Sequence, residues 1–248
     1  MPRQDRYEGL APYYDIFIDW PKRLALEIPF IIETLAGNPT GKSCLDIGCA
    51  TGRHLQRLAA EGLCPEGMEP SPHLRKLALR NLPETPVHEA GMENLLEVAE
   101  RHGPWDVVTC LGNTLPHLEP PLREPFFRGL FLALKPGGSA VIHLLGYDRI
   151  MRDRPDGLLE KNAERDGHSY SFYREYSYTG DGIVFSLRVV VDGAEVASQR
   201  EMLHPLTGDE LLKLCSRAGL KTVALYNGFN RTKAYTADSA NLVGVISR

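Results

Sequence analysis

Between residues 43 and 145 the chain alternates short apolar runs with stretches of helical periodicity. The runs are Ser43–Ile47, Leu63–Glu69, Pro86–Ala90, Trp105–Leu111 and Gly138–Leu145. That alternation predicts a parallel sheet with helices packed on both faces. Ser71 is placed to cap a helix with Pro72 at its first position, and Leu74, Leu77 and Ala78 form its apolar stripe. Lys135-Pro136-Gly137-Gly138 supplies a stop and turn before the last of these strands.

After Leu145 the period changes to two, with runs at His168–Tyr178, Ile183–Val191 and Ala194–Leu203. Thr179-Gly180-Asp181-Gly182 and Asp192-Gly193 read as the hairpin turns that join them. Helical periodicity returns at Thr207, whose hydroxyl forms a T-x-x-E capping box with Glu210, and it stops at Gly219. A strand pair, Lys221–Tyr226 and Asn241–Ser247, completes the sheet. The expected organisation is a helical cap over residues 1–40, a core made of 41–145 and 205–248, and an antiparallel β insertion over 146–204 that serves as a lid.

Composition narrows the function class. With 248 residues and 43% hydrophobic positions the chain can bury one large core. A formal charge of -4 without a long single-sign run excludes a basic surface for a nucleic-acid backbone, so a small-molecule partner is expected. The five cysteines lack metal-ligand spacing, no metal is expected, and a reducing compartment is favoured. There is no apolar signal core after Met1 and no apolar run near the roughly 20 residues that span a bilayer, so the expected location is the cytoplasm, away from membranes.

The first apolar strand leads into Leu45-Asp46-Ile47-Gly48-Cys49-Ala50-Thr51-Gly52-Arg53-His54. Glycine in such a turn lets backbone approach a ligand closely, and the helix that follows offers free N–H groups to an anion. Dinucleotide enzymes carry G-x-G-x-x-G at this place, whereas the glycines here are spaced G-x-x-x-G, which argues against NAD. Glu69 lies 21 residues beyond Gly48, close to the about 20 at which an acidic side chain accepts hydrogen bonds from ribose hydroxyls.

These residues resemble the class I S-adenosylmethionine-dependent methyltransferases, whose first motif is L-D-[IV]-G-x-G-x-G. The resemblance runs from about Tyr13 to the C-terminus and takes in the acidic strand end and the L-K-P-G-G turn. It implies a Rossmann-like seven-stranded sheet, mostly parallel with one antiparallel strand, and S-adenosylmethionine as cofactor. The cofactor roles it implies fall on Asp46, Gly48, Cys49, Ala50, Thr51 and Gly52 in the loop, and on Glu69 and Pro70 at the ribose. Gly91 and Met92 are expected at the adenine through their backbone, Tyr14 closing over the cofactor, and Leu111 and Gly112 among the other cofactor-binding residues. Two positions depart from the motif. Ala50 replaces its middle glycine, which costs about 1 kcal/mol or more if φ must be positive there and nothing if φ is helical. Gly91 stands where many members have an acidic residue.

The acceptor is expected beyond the carboxyl end of the fourth strand, at the switch in strand order. There Cys110-Leu111-Gly112-Asn113-Thr114, together with Gly146-Tyr147-Asp148-Arg149-Ile150, is similar to the C-L-G-N-S and N-Y-D-x-I of the glycine and sarcosine N-methyltransferases. That similarity implies Asn113 near the amine, with Tyr147 beside it; equally, Asn113 can fix its loop and Tyr147 can pin the insertion. His117 reads as structural. In the run His168–Tyr178 alternation puts Arg174 in an aromatic row with Tyr170, Phe172 and Tyr176. If that row faces the active site, Arg174 can clamp a substrate carboxylate; if it faces solvent, it pairs with a neighbouring glutamate. The expected activity is therefore methyl transfer to a small amine or amino acid. The rivals are an O- or C-methyltransferase, a non-catalytic S-adenosylmethionine-binding regulator and a nicotinamide-dependent oxidoreductase.

Overall fold

The computed structural model describes residues 5, 7–155 and 157–248, with backbone only at 157–159. The N-terminal segment holds α1 (Tyr14–Phe17) and α2 (Trp20–Ile32). Then follow β1 (Ser43–Ile47), α3 (Arg53–Ala60), β2 (Cys64–Met68), α4 (Pro72–Asn81), β3 (Val87–His88), α5 (Leu95–His102), β4 (Trp105–Cys110), α6 (Arg123–Ala133) and β5 (Leu134–Leu145). After α7 (Tyr147–Asp153) come β6 (Gly157–Arg165), β7 (His168–Tyr178), β8 (Ile183–Val191) and β9 (Ala194–Leu203). The chain returns to the first sheet through α8 (Gly208–Arg217), β10 (Lys221–Tyr226) and β11 (Asn241–Ser247).

Two sheets result. The larger has the order β10-β11-β5-β4-β1-β2-β3, the smaller β6-β7-β8-β9. In the larger, β1 to β5 pair in parallel, and β11 runs antiparallel to both β5 and β10. The chain moves outward from β1 through β2 and β3, then crosses back to β4. The carboxyl ends of β1 and β4 therefore lie at the reversal, where a crevice opens for a ligand. All pairs of the smaller sheet are antiparallel.

Alternation along the strands sends side chains to two cores. On one face Val107, Val141, Val243 and Val245 pack against Ile28 and Ile31 of α2 and Leu58 of α3. On the other, Val108, Ile142, Leu242 and Ile246 meet Phe126, Phe127 and Leu130 of α6 and Leu211 of α8. A third cluster joins Tyr170, Phe172, Leu187 and Val189 of the smaller sheet to Leu10, with Tyr13 and Phe17 packed alongside. The row of aromatics on β7 thus turns inward, toward the N-terminal segment.

The local signals read from sequence appear as contacts. The Ser71 hydroxyl accepts from the Leu74 N–H at 3.2 Å, and Thr207 and Glu210 complete their capping box. Two elements escape the apolar pattern. β6 is an edge strand of polar composition (Glu160, Asn162 and Glu164) and is held by its backbone pairing with β7. α7 is a short helix whose one buried side chain is Tyr147. β5 also begins earlier than its apolar run, because Leu134 pairs with Trp105 across a register shift.

Gly146 joins β5 to α7, and its backbone is packed against another chain segment. A Cβ there would overlap the Ser239 carbonyl oxygen and lie 2.9 Å from its carbon and 3.1 Å from the Ala240 carbonyl carbon. Gly146→Ala is expected to destabilise by about 1–3 kcal/mol or more, as overpacking does, and to lower Tm by at least about 3 °C. Gly180→Ala, where a Cβ meets nothing within 4 Å, is expected to change stability by less than about 0.5 kcal/mol. Thermal denaturation of the two variants side by side checks this, and equal Tm values would contradict it.

Candidate functional site

The turn after β1 is built on left-handed backbone. Gly48, Ala50 and Gly52 have φ of 72°, 50° and 76°. Ala50 therefore occupies the strained branch of the two open to it, and its methyl packs with Ala11 and Leu74, flanked by Tyr7 and Tyr14. The Gly48 and Cys49 N–H groups donate to the Met68 carbonyl at 2.8 and 3.0 Å. Next along the turn, the Ala50 N–H donates to Glu69 Oε2 at 2.9 Å, and Ser71 N–H donates to Oε1 at 2.9 Å. One carboxylate thus ties the turn to the end of β2 and the start of α4.

The remaining loop residues divide by what their side chains do. The Cys49 thiol packs over Gly67 and the Thr51 hydroxyl donates to Asp15 at 2.6 Å, so both are left to serve a ligand through backbone. Asp46 is buried and accepts from the Thr109 hydroxyl at 2.6 Å; burial pushes its carboxyl above the ordinary value. Its first task is to join β1 to β4. Pro70 is exposed beside Glu69, Gly91 is buried, and Met92 packs against the core. The Glu93 carboxylate lies where a side chain on Gly91 would stand. A carboxylate thus occupies that place even though position 91 lacks an acidic side chain.

Two aspartates fasten the N-terminal segment, one to the start of α4 and one to this turn. Asp5 accepts from the Tyr7 N–H and the Ser71 hydroxyl and sits 2.6 Å from His73 Nδ1. Asp15 accepts from Trp20 Nε1, from Thr51 and from two guanidinium nitrogens of Arg53. Sequence reasoning missed Arg23 of α2, whose Nη2 lies against the open face of Gly112. Its Nε donates to Glu27 at 2.8 Å, and the other Glu27 oxygen meets His54 at 2.5 Å. Burial alone would raise the Glu27 carboxyl, but the His54 hydrogen bond and Arg23 hold it below the ordinary value. From sequence, Arg23 and Glu27 look like an ordinary surface pair at i,i+4.

A cavity of about 210 Å³ lies between the carboxyl ends of β4 and β5, the N-terminal segment and β7. Tyr14, Gly112, Asn113, His117, Arg174 and Tyr176 line it, among others. Asn113 has φ of 66°. Its side chain is a strut: Oδ1 accepts from the Leu145 N–H at 3.0 Å and Nδ2 donates to the Tyr147 hydroxyl at 2.9 Å. Tyr147, 1% exposed, stands behind Asn113 and off the cavity wall, and burial raises its phenol. It reaches the site only through Asn113. Leu111 is buried in the core, so it offers backbone, whereas Gly112 is open. Arg174 stands on the wall with its guanidinium 5.5 Å from the Phe17 ring centre, and its Nε is buried without a partner among the described residues.

A family model described as a methyltransferase domain matches residues 20–225. The chain belongs to the class I S-adenosylmethionine-dependent methyltransferases. It is 38% identical over 150 residues to a dTDP-4-amino-2,3,4,6-tetradeoxy-D-glucose N,N-dimethyltransferase of Saccharopolyspora spinosa, covering 59% of this chain and 57% of that one. A glycine/sarcosine N-methyltransferase of Parasynechococcus marenigrum is 28% identical over 159 residues, 60% of this chain and 54% of the relative. The matches thus span little more than half the length of these relatives. Among solved structures, DesVI of Streptomyces venezuelae superposes with a TM-score of 0.77 at 20% identity, over 94% of this chain and 97% of that one. S-adenosylmethionine-bound CalS10 of Micromonospora echinaspora gives 0.72 at 21%, over 95% and 94%.

The cofactor of this methyltransferase is S-adenosylmethionine, and its residues suit that molecule. A carboxylate has about four acceptor positions, of which protein N–H groups fill two at Glu69, leaving capacity for a ribose diol. Arg23 beside Gly112 offers a cation suited to an α-carboxylate. Among the described residues no helix is long and apolar enough to cross a membrane, and no cluster of side chains is suited to a metal.

Burial pushes the Glu69 carboxyl from 4.5 up to about 7, against the pull of the Ser71 and Ala50 N–H groups. The folded chain therefore holds a proton there that the unfolded chain releases between those values. Its stability falls as pH rises through that window, by no more than roughly 3 kcal/mol. Glu69→Gln is expected to remove that slope in denaturant titrations at pH 5 and 8. Hydroxyl donors favour the ionised carboxylate, so S-adenosylmethionine affinity is expected to rise as pH climbs through 7. In Glu69→Gln, calorimetry is expected to show that pH dependence lost and binding weaker by about 1–3 kcal/mol. Unchanged affinity and an unchanged pH profile would remove Glu69 from the site.

Proposed function

We propose that this methyltransferase methylates the nitrogen of a small amine, with a carboxylate-bearing amino acid as its leading acceptor. The observation that carries this reading is the cavity that brings Gly112 and Asn113, from the end of β4, together with Arg174 of β7, whose Nε is buried and unpartnered among the described residues. A buried guanidinium N–H without a partner is costly unless a ligand accepts from it. A carboxylate can accept two parallel hydrogen bonds from its fork. Relatives named as glycine/sarcosine and sugar N-methyltransferases support a nitrogen acceptor.

Bound at the β1 turn, S-adenosylmethionine supplies an electrophilic methyl group on a sulfonium sulfur. The chain's own part is to hold, orient and dry the acceptor. Glu69 takes the ribose, Arg23 the α-carboxylate, and Gly112 leaves space because it carries no side chain. Asn113, pinned to β5 at Leu145 and to Tyr147, fixes the shape of the wall on which the amine rests. Phe17 faces the Arg174 guanidinium, and Phe172, Tyr176 and Phe185 add their rings to the same cavity wall. Burial raises the Tyr14 and Tyr176 phenols, so both stay neutral and can donate hydrogen bonds.

A second reading is favoured by the 38% identity to the tetradeoxyglucose N,N-dimethyltransferase: an amino sugar as acceptor, with Arg174 on a phosphate of its nucleotide. Methyl-transfer assays with glycine, sarcosine, simple alkylamines, a dTDP-amino sugar and phenols separate these readings. Turnover confined to phenols would refute the nitrogen acceptor. With the amino-acid acceptor, Arg174→Lys is expected to raise KM about tenfold or more while S-adenosylmethionine affinity is unchanged, because the charge stays and the fork is lost. Parent-like kinetics in Arg174→Ala would refute the clamp.

A further inference from the structure

The cavity holds one more group with chemistry of its own. His117 lies in the single turn Leu115–His117 that follows β4, and it shares the cavity wall with Asn113, Arg174 and Gln199. Its Nδ1 is 2.5 Å from Oε2 of Glu201, a β9 residue whose side chain is 3% exposed, against 24% for His117. The other Glu201 oxygen accepts from the Gln199 amide. Nδ1 faces Glu201, which leaves Nε2 as the ring nitrogen to which none of the described residues hydrogen-bonds, on a side chain that lines the cavity. The other titratable side chains on that wall are Arg174 and Tyr176 of β7 and Tyr7, Tyr13 and Tyr14 of the N-terminal segment. Arg123 of α6 reaches the carbonyls of His204 and Pro205 next to β9, and Tyr147 stands behind Asn113.

We propose that His117 is a catalytic residue that takes the proton of the acceptor's ammonium group, and that Glu201 is the positioning residue that holds its ring in the competent tautomer. The proposal rests on the nitrogen-acceptor reading. An ammonium nitrogen has no lone pair and cannot accept a methyl group. A buried carboxylate 2.5 Å from Nδ1 favours the tautomer with its proton on Nδ1 and its lone pair on Nε2, the arrangement by which a carboxylate orients a histidine base in hydrolases. In the step, an N–H bond of the ammonium breaks, its proton passes to Nε2, and the bonding pair stays on nitrogen. That pair then forms the N–CH3 bond, while sulfur keeps the pair of the broken C–S bond. Glu201 belongs to the second sheet and His117 to the first, so the pair exists only when β9 is seated against the exit of β4. Proton removal is thereby tied to a closed cavity.

Two measurements test this. For the best amine found in the assays above, His117→Gln is expected to lose about 10²-fold or more in kcat/KM at pH 7, the scale of general-base catalysis. The loss should shrink as pH approaches the amine's own pKa, where solvent supplies the neutral amine. Glu201→Gln is expected to shift the profile in the same sense by a smaller factor, and S-adenosylmethionine binding by calorimetry should stay at the parent value in both variants. A His117→Gln profile that overlays the parent's overturns the proposal. Independently of any acceptor, 15N spectra of histidine-labelled protein with S-adenosylhomocysteine are expected to show neutral His117 protonated at Nδ1 and bare at Nε2. The opposite tautomer overturns the proposal even where a nitrogen acceptor is confirmed. A screen that yields only phenol methylation refutes the nitrogen-acceptor reading, and with it the base, whatever the tautomer.

Discussion

The carboxylate of Glu69 is the fixed point of the sheet's carboxyl edge. It ends β2 in a nearly dry place and accepts one N–H from the β1 turn and one from the start of α4. Those two bonds set the turn's path, and the path in turn demands left-handed backbone at Gly48, Ala50 and Gly52. An alanine at positive φ persists only where surroundings over-determine it. Here the Glu69 bond on its nitrogen and the packing of its methyl against Ala11 and Leu74 do so. The same burial that gives the carboxylate this authority keeps its charge poorly solvated, so a hydroxyl-bearing ligand improves its situation.

The two sheets contribute different chemistry to one cavity. The larger sheet brings short, backbone-fixed groups: Gly112 with no side chain, Asn113 locked between Leu145 and Tyr147, and His117 in a single turn. The smaller brings long or buried charged groups on strands, Arg174 on β7 and Glu201 on β9. Apolar packing of Phe172, Leu187 and Val189 against Leu10 and its neighbours holds the second sheet to the N-terminal segment. That segment is itself bound to the β1 turn through Asp15 and to the start of α4 through Asp5. Contact therefore runs unbroken from the turn to the cavity wall.

Much of this was legible in the chain's pattern. Strands show themselves either as short continuous apolar runs buried on both faces, such as β1 and β11, or by a period of two, and β1, β7, β8, β9, β10 and β11 have the bounds expected of them. β6 was invisible because an edge strand of Glu, Lys and Asn needs only a backbone partner. The loop of Gly48 to Gly52 and the acid at Glu69 are local signals with fixed spacing. Arg23 was not, since it faces Gly112 only because α2 lies against α3 and the sheet. The inward turn of the β7 aromatic row was left open by alternation, which fixes that residues share a face and says nothing of which face is covered.

The sequence by itself determined most of the elements, the order in which they alternate and the glycine turn with its acid, because helix period, strand period, capping and turn preference are settled within a few residues. It also determined the sheet's mostly parallel character, which follows from strands separated by helices. Only the tertiary structure decided which polar groups meet. Asn113 with Tyr147, His117 with Glu201, and Arg23 with Gly112 are joined across 34, 84 and 89 positions of chain. No local rule sets such a pairing. It arises when two sheets and an N-terminal segment bury their apolar faces together, and the polar groups caught between them must satisfy one another or wait for a ligand.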